Sequence, residues 1–92
     1  MMQGLRINAN GTQSTVAPAN GTRFSLAELQ AIVGGYIEIV YALDGQAIVL
    51  NEDGKLNDLP VNAGACALYG PARSGHDLIV GDVLVCPSSA ID

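Results

Sequence analysis

The densest group of chemically useful side chains is the segment 51–55, which reads Asn-Glu-Asp-Gly-Lys. Its carboxylates, amide and ammonium group are the ingredients of a calcium site or a phosphate site. A calcium loop needs a longer run of oxygen ligands ending in a bidentate Glu, which this segment lacks. A phosphate loop needs Gly and Ser or Thr where the chain has Val49 and Leu56. The segment is interpreted as a turn, or as a ligand-site rim in which Lys55 supplies charge and Asn51 hydrogen bonds.

A second candidate for chemistry is the single histidine, His76, which lies beside Asp77 and close to Ser74. Hydrolysis requires a nucleophile, a base and an oxyanion hole to meet in space, and sequence adjacency does not provide this. The chain also has no nucleophile-elbow motif. No catalytic residue is therefore predicted. His76 is interpreted as a surface-loop residue, and it joins Arg73 among the candidates at the border of a ligand site.

Metal and cofactor sites are not expected. The two cysteines, Cys66 and Cys86, lie twenty residues apart, and neither belongs to a Cys-x-x-Cys pair. A structural zinc ion takes about four nitrogen or sulfur ligands, which one histidine and two distant cysteines do not supply. Both thiols are expected to be reduced, in a cytoplasmic protein without a signal peptide.

Composition limits the classes of partner. The net charge is −5, and the chain has four cationic side chains, so a duplex-DNA binder with a basic face is excluded. Hydrophobic residues make up 49% of the chain and charged residues 14%, yet no run reaches the roughly 18–20 residues of a membrane span. This apolar content exceeds what one small core uses. The prediction is a second burial surface, meaning a homo-oligomer or a partner interface.

The clearest local pattern predicts a helix over Leu26–Val33. Ser25 and Glu28 form a capping box, and Phe24 and Leu29 have the spacing of a hydrophobic staple. Two glycines follow Val33 and end the helix. The residues predicted to share one face of this helix are Leu26, Leu29, Ile32 and Val33.

A β-hairpin is predicted from strands 36–43 and 46–51, which flank Asp44 and Gly45. Asp-Gly suits a two-residue type I′ turn, which would place Tyr41 opposite Ile48 and Ile39 opposite Leu50. Both faces of this hairpin are apolar, whereas a sheet exposed on one side alternates. The helix covers one face, so the other must meet further strands, another subunit or a ligand.

The remaining segments are less regular. Residues 1–22 are polar and poorly patterned, with short strands expected around residues 5–7 and 12–16. Asn62 starts either a short helix or an irregular segment. Gly81 is either part of a hairpin turn or a bulge in one strand. The whole chain, 1–92, is expected to form one α+β domain, a small antiparallel or mixed sheet with a central hairpin covered by one helix.

Three segments carry a family resemblance: "LQAIVGGYIEIV", "NEDGKL" and "DLIVGDVLV". Their order and spacing resemble the family called domain of unknown function 3846, over about residues 24–86. The stretch "NAGACA" resembles a looser form of that family's Asn-rich helix start. The resemblance implies a small protein of bacteriophages or other mobile elements, acting on host physiology or defence, and it implies no catalytic residue.

The first functional hypothesis is a non-enzymatic, oligomeric phage anti-defence protein that binds a small ligand, in its sharpest form a sponge for a cyclic nucleotide signal. Several chains would pool cations such as Lys55 and Arg73. The alternative is an inhibitor that blocks a host enzyme or defence complex, and a small hydrolase or transferase is the third. The candidate ligand-binding residues are Tyr36, Asn51, Lys55, Asn62, Arg73 and His76.

Overall fold

The computed structural model describes residues 3–41, 45–69 and 79–91. Along them lie two strands, a helix, two strands, a second helix and a fifth strand, followed by a 3-10 turn at Ser88–Ala90. The elements are β1 (Gly4–Ile7), β2 (Gln13–Val16), α1 (Leu26–Val33), β3 (Ile37–Tyr41), β4 (Gln46–Asn51), α2 (Ala63–Tyr69) and β5 (Val83–Pro87). No helix among the described residues has the length and hydropathy needed to cross a bilayer.

The five strands form one sheet in the order β2-β1-β5-β4-β3, and all neighbours are antiparallel. The predicted α+β class is confirmed. The hairpin is not central, because the C-terminal β5 occupies the middle of the sheet and β3 lies at its edge. The physical reason is that residues 83–86 of β5 are apolar and buried, which suits a strand covered on both faces.

The hairpin register differs by one residue from the prediction. Tyr41 lies opposite Ala47, and Ile39 lies opposite Val49. The predicted Asp44 turn position lies outside the described residues. The observed register still places apolar side chains on both faces of β3 and β4, because both strands are apolar at nearly every position.

Each face of the sheet has its own buried cluster. On the first face, α1 packs against β3, β4 and β5. On the second face, Ala65 of α2 and Ile79 pack against the strands. The first cluster contains Phe24, Leu29, Ile32, Val33, Val49, Leu84, Cys86 and Ala90. The second contains Ile7, Ile48, Ala65, Ile79, Val83 and Val85. The chain itself thus covers much of the second face, so the apolar excess alone does not require an oligomer.

Helix α1 has the predicted bounds and the predicted capping box. The Ser25 hydroxyl accepts a hydrogen bond from the Glu28 N–H at 3.2 Å, and the Ser25 N–H donates to the Glu28 carboxylate at 2.9 Å. Of the four residues predicted to share one helical face, Leu29, Ile32 and Val33 are buried, whereas the side chain of Leu26 is 56% exposed. Helical periodicity fixes the direction of a side chain but not how far the sheet extends beneath the first turn.

The capping box predicts a pH dependence of stability. Hydrogen bonds from the Ser25 and Ala19 backbone N–H groups lower the pKa of the Glu28 carboxyl. A lowered folded-state pKa stabilises the fold above the ordinary value of 4.5, and this contribution is lost as the pH falls through the folded-state pKa. As the pH falls below 4.5, we expect the thermal midpoint of the wild type to decrease more steeply than the thermal midpoint of Glu28→Gln. The glutamine keeps a hydrogen-bond acceptor but carries no charge. Parallel curves would contradict this prediction.

Candidate functional site

The amide of Asn51 joins the end of α1 to the end of β4. Its Nδ2 donates to the Val33 carbonyl at 3.1 Å, and its Oδ1 accepts from the Asp53 N–H at 2.8 Å. A Cβ on Gly35 would lie 2.9 Å from this Nδ2, so only glycine allows the close approach. Asn51 is buried, and its amide donates a hydrogen bond to the Val33 carbonyl, one of the last carbonyls of α1, which have no partner within the helix. The geometry gives Asn51 a structural role in the turn that follows β4.

Asn62 connects three segments in the interior. Its Nδ2 donates to the carbonyls of Ile7 and Gly81, both at 2.8 Å, and its Oδ1 accepts from the Ala65 N–H at 3.0 Å. The last bond is an N-cap, so the helical alternative is the one found for residues 63–69. Its side chain is fully buried. All these contacts are to the chain's own backbone, which again is a structural role.

Gly81 lies neither in a hairpin turn nor in a bulge of one strand, the two alternatives predicted from the sequence. It has a φ of +77°, a backbone conformation that favours glycine, and it lies between Val80 and β5. Val80 forms an antiparallel bridge with Val61 and does not pair back onto β5. Residues 79–80 therefore carry the chain from α2's side of the sheet into the central strand.

Tyr36 is the candidate residue that projects outward. Its side chain is 69% exposed, and it lines an open depression of about 340 Å³ with Gln30, Ala31 and Gly35. The backbone of Tyr36 accepts a hydrogen bond from the Glu52 N–H at 2.9 Å, which places it beside the turn after β4. The structure therefore brings Tyr36 and Asn51 near one another, and Asn62 serves a different part of the fold.

The outer edge of β3 is the feature that the sequence interpretation missed. Backbone groups alternate between the two sides of an antiparallel strand. Because the Tyr36 carbonyl accepts a hydrogen bond from the Glu52 N–H, the backbone N–H and C=O groups of Glu38 and Val40 also face β4. The backbone groups of Ile37 and Ile39 therefore face outward. No described residue bonds to them. Strand order was the missing information, since sequence pattern does not say which strand ends a sheet.

The two edges of the sheet differ in character. The edge strand β2 has four residues, and its Gln13, Ser14 and Thr15 are polar and exposed. Such side chains offer a partner strand little apolar surface to bury, so they disfavour pairing of this edge with another chain. The edge strand β3 reads Ile-Glu-Ile-Val-Tyr, with one charged residue in five. By this comparison β3 is the edge suited to accept a further strand.

The other candidate groups do not complete a catalytic centre among the described residues. Arg73 and His76 lie outside that part of the chain, and Lys55 is exposed on the turn after β4. Cys66 and Cys86 are free thiols in the clusters on opposite faces of the sheet. Burial raises the pKa of the Cys86 thiol to about 11, so it is protonated at neutral pH. In residues 3–41, 45–69 and 79–91, no three His, Cys, Asp or Glu side chains gather to hold a metal ion.

Comparison with known proteins identifies the family of this chain. The family model of domain of unknown function 3846 matches residues 2–90. The chain belongs to this family, as its sequence motifs indicated, and the match also includes the N-terminal region that the resemblance left out. No curated protein and no solved structure gave a significant match.

Proposed function

We propose that this protein is a non-enzymatic binding protein that recognises a protein partner through the open edge of β3. The observation that carries the proposal is the pair of outward-facing backbones at Ile37 and Ile39, on a strand with one charged residue, Glu38, among its five. A partner strand would supply the missing hydrogen bonds, and its side chains would pack beside the apolar side chains of β3.

Two exposed tyrosines mark the ends of this edge. Tyr36 immediately precedes β3 and Tyr41 ends it, and their side chains are 69% and 61% exposed. Tyrosine is enriched at interface hot spots, because it buries a large rigid ring and keeps a polar tip. Exposed aromatic rings at both ends of the strand therefore favour an interface with a partner over an edge that contacts only water.

The biological setting that we propose follows from the family resemblance. A small accessory protein of a bacteriophage, in the host cytoplasm, would block a host enzyme or defence complex by occupying its surface. Two of the candidate ligand-binding residues, Asn51 and Asn62, already donate their side-chain amides to backbone carbonyls, so these amides are not free to bind a ligand.

The proposal is tested by capturing proteins from host cells with three baits: wild type, Ile39→Pro and Thr15→Pro. Proline at position 39 removes an outward N–H, and the exposed N–H of Thr15 faces outward from β2 by the same alternation. We expect a defined partner to bind wild type and Thr15→Pro and to be lost with Ile39→Pro. Equal capture by all three folded baits would overturn the proposal.

A small nucleotide ligand is a second candidate, favoured by the depression beside Tyr36, where a base could stack on the exposed ring. Lys55 and Arg73 from several chains would then supply charge for the phosphates. A ligand present at about 100 times its Kd stabilises a protein by about 2.7 kcal/mol, which raises the thermal midpoint by several degrees. We expect a cyclic nucleotide from a panel to produce this shift in wild type and Tyr41→Ala, but not in Tyr36→Ala. The absence of a shift with every nucleotide would exclude this candidate.

A further inference from the structure

We propose that the occupant of the β3 edge is a second copy of this chain, giving a two-fold dimer with one continuous sheet. This inference rests on the same open edge as the proposed function, and a second copy bound there would compete with a host protein for that edge. The reasons are the self-complementarity of β3, its pattern of charge, and the difference between the two edges of the sheet.

Self-complementarity follows from the alternation of backbone groups. Ile39 is the central residue of β3, and its N–H and C=O face outward. Two antiparallel copies centred on Ile39 therefore place Ile39 opposite Ile39 of the second copy as a doubly hydrogen-bonded pair. Ile37 then lies opposite Tyr41 of the second copy, and the same contact repeats across the two-fold axis. On the α1 side of the sheet, this register places only apolar and aromatic side chains in contact.

The charge pattern selects the same register. With Ile39 at the centre, Glu38 lies opposite Val40 of the second copy. Moving the centre to Glu38 would place two glutamates directly opposite each other, which is destabilising. The register centred on Ile39 also overlaps all five residues of β3, whereas a shifted centre overlaps fewer.

The two different edges also explain why the assembly would stop at two copies. An interface formed by the same patch on both copies is closed, because each β3 edge is used once. The joined sheet would have β2 at both ends. The polar residues of β2 then face the next possible partner, and they oppose further growth into a fibre.

A charge-reversal pair at position 40 tests the register. Val40 is half-buried against the second cluster, so Val40→Lys and Val40→Glu lose the same apolar packing. Across the proposed interface, the new lysine would lie opposite Glu38 twice, and the new glutamate would repel it twice. We expect the dimer Kd of Val40→Glu to be ~10-fold or more above that of Val40→Lys in low salt. The difference should shrink at high salt.

Sedimentation equilibrium measures these constants, with circular dichroism to confirm that each variant is folded. Wild type should approach twice the chain mass, and a monomer at up to ~1 mM would overturn the dimer. Equal constants for the two Val40 variants would overturn the register. As an independent check that does not change the charge, Ile39→Pro should be monomeric and Thr15→Pro dimeric.

The dimer and the proposed function fail in different ways. A monomeric wild type whose host partner is still lost with Ile39→Pro overturns the dimer and supports binding of another protein at the edge. A dimer that persists in folded Ile39→Pro places the interface elsewhere, and it overturns this inference whatever the capture experiment shows.

Discussion

Replacing Asn62 by Ala should lower the free energy of unfolding by about 3 kcal/mol. The substitution removes three buried hydrogen bonds: two that the amide donates to the carbonyls of Ile7 and Gly81, and one that it accepts from the Ala65 N–H. Each unsatisfied buried group costs about 1–3 kcal/mol. A domain of this size has a small stability margin, so the loss is a large fraction of the total.

Urea denaturation of wild type, Asn62→Ala and Asn20→Ala measures this effect. Asn20 is an exposed asparagine whose Oδ1 accepts from the Thr22 N–H, so it controls for loss of an amide bonded to backbone. We expect Asn20→Ala to change the unfolding free energy by about 0.5 kcal/mol or less. A comparable loss in both variants would show that burial of the Asn62 amide is not the cause. Asn62→Asp, which keeps the cap acceptor and removes both donated bonds, should also be strongly destabilised.

The second large effect is expected at Leu29. Leu29→Ala should lower the unfolding free energy by about 2–5 kcal/mol, because this side chain is 1% exposed and lies in the cluster between α1 and the sheet. The smaller residue leaves a cavity that its neighbours fill incompletely. Alanine is itself a good helix former, so the loss comes from packing and not from helix propensity.

Leu26→Ala is the matched control for this prediction. It makes the same chemical change on the same helix, but at a side chain that is 56% exposed. Its effect should stay within about 0.5 kcal/mol. Thermal and urea unfolding of both variants provide the comparison. If Leu26→Ala were the more destabilised of the two, the packing of α1 described here would be wrong.

Local chemistry is what the sequence predicted well. The capping box of Ser25 and Glu28 fixed the start of α1, and Gly34 fixed its end, because these signals act between residues close in the chain. Strands β3, β4 and β5 also follow from local apolar runs. The hairpin register was predicted one residue out, because it depended on a turn assignment and most positions of the two strands are apolar in either register.

The candidate site was less predictable from sequence. Asn51 and Asn62 are polar residues of the kind that bind ligands, and their amides instead bond to Val33, Ile7 and Gly81, which are distant in sequence. A sequence pattern does not show that a polar side chain has a backbone partner 18 or 55 residues away. Helix faces behave similarly, as the exposure of Leu26 shows.

The sequence by itself determined the α+β class, the bounds and cap of α1, the apolar strands and the family. Tertiary structure alone decided that β5 lies in the middle of the sheet, that α2 packs on its second face, and that β3 is left at an edge. The physical reason is that strand order depends on pairing between distant segments. β5, which is 32 residues beyond β4, inserts between β4 and β1 because its apolar residues are best buried there.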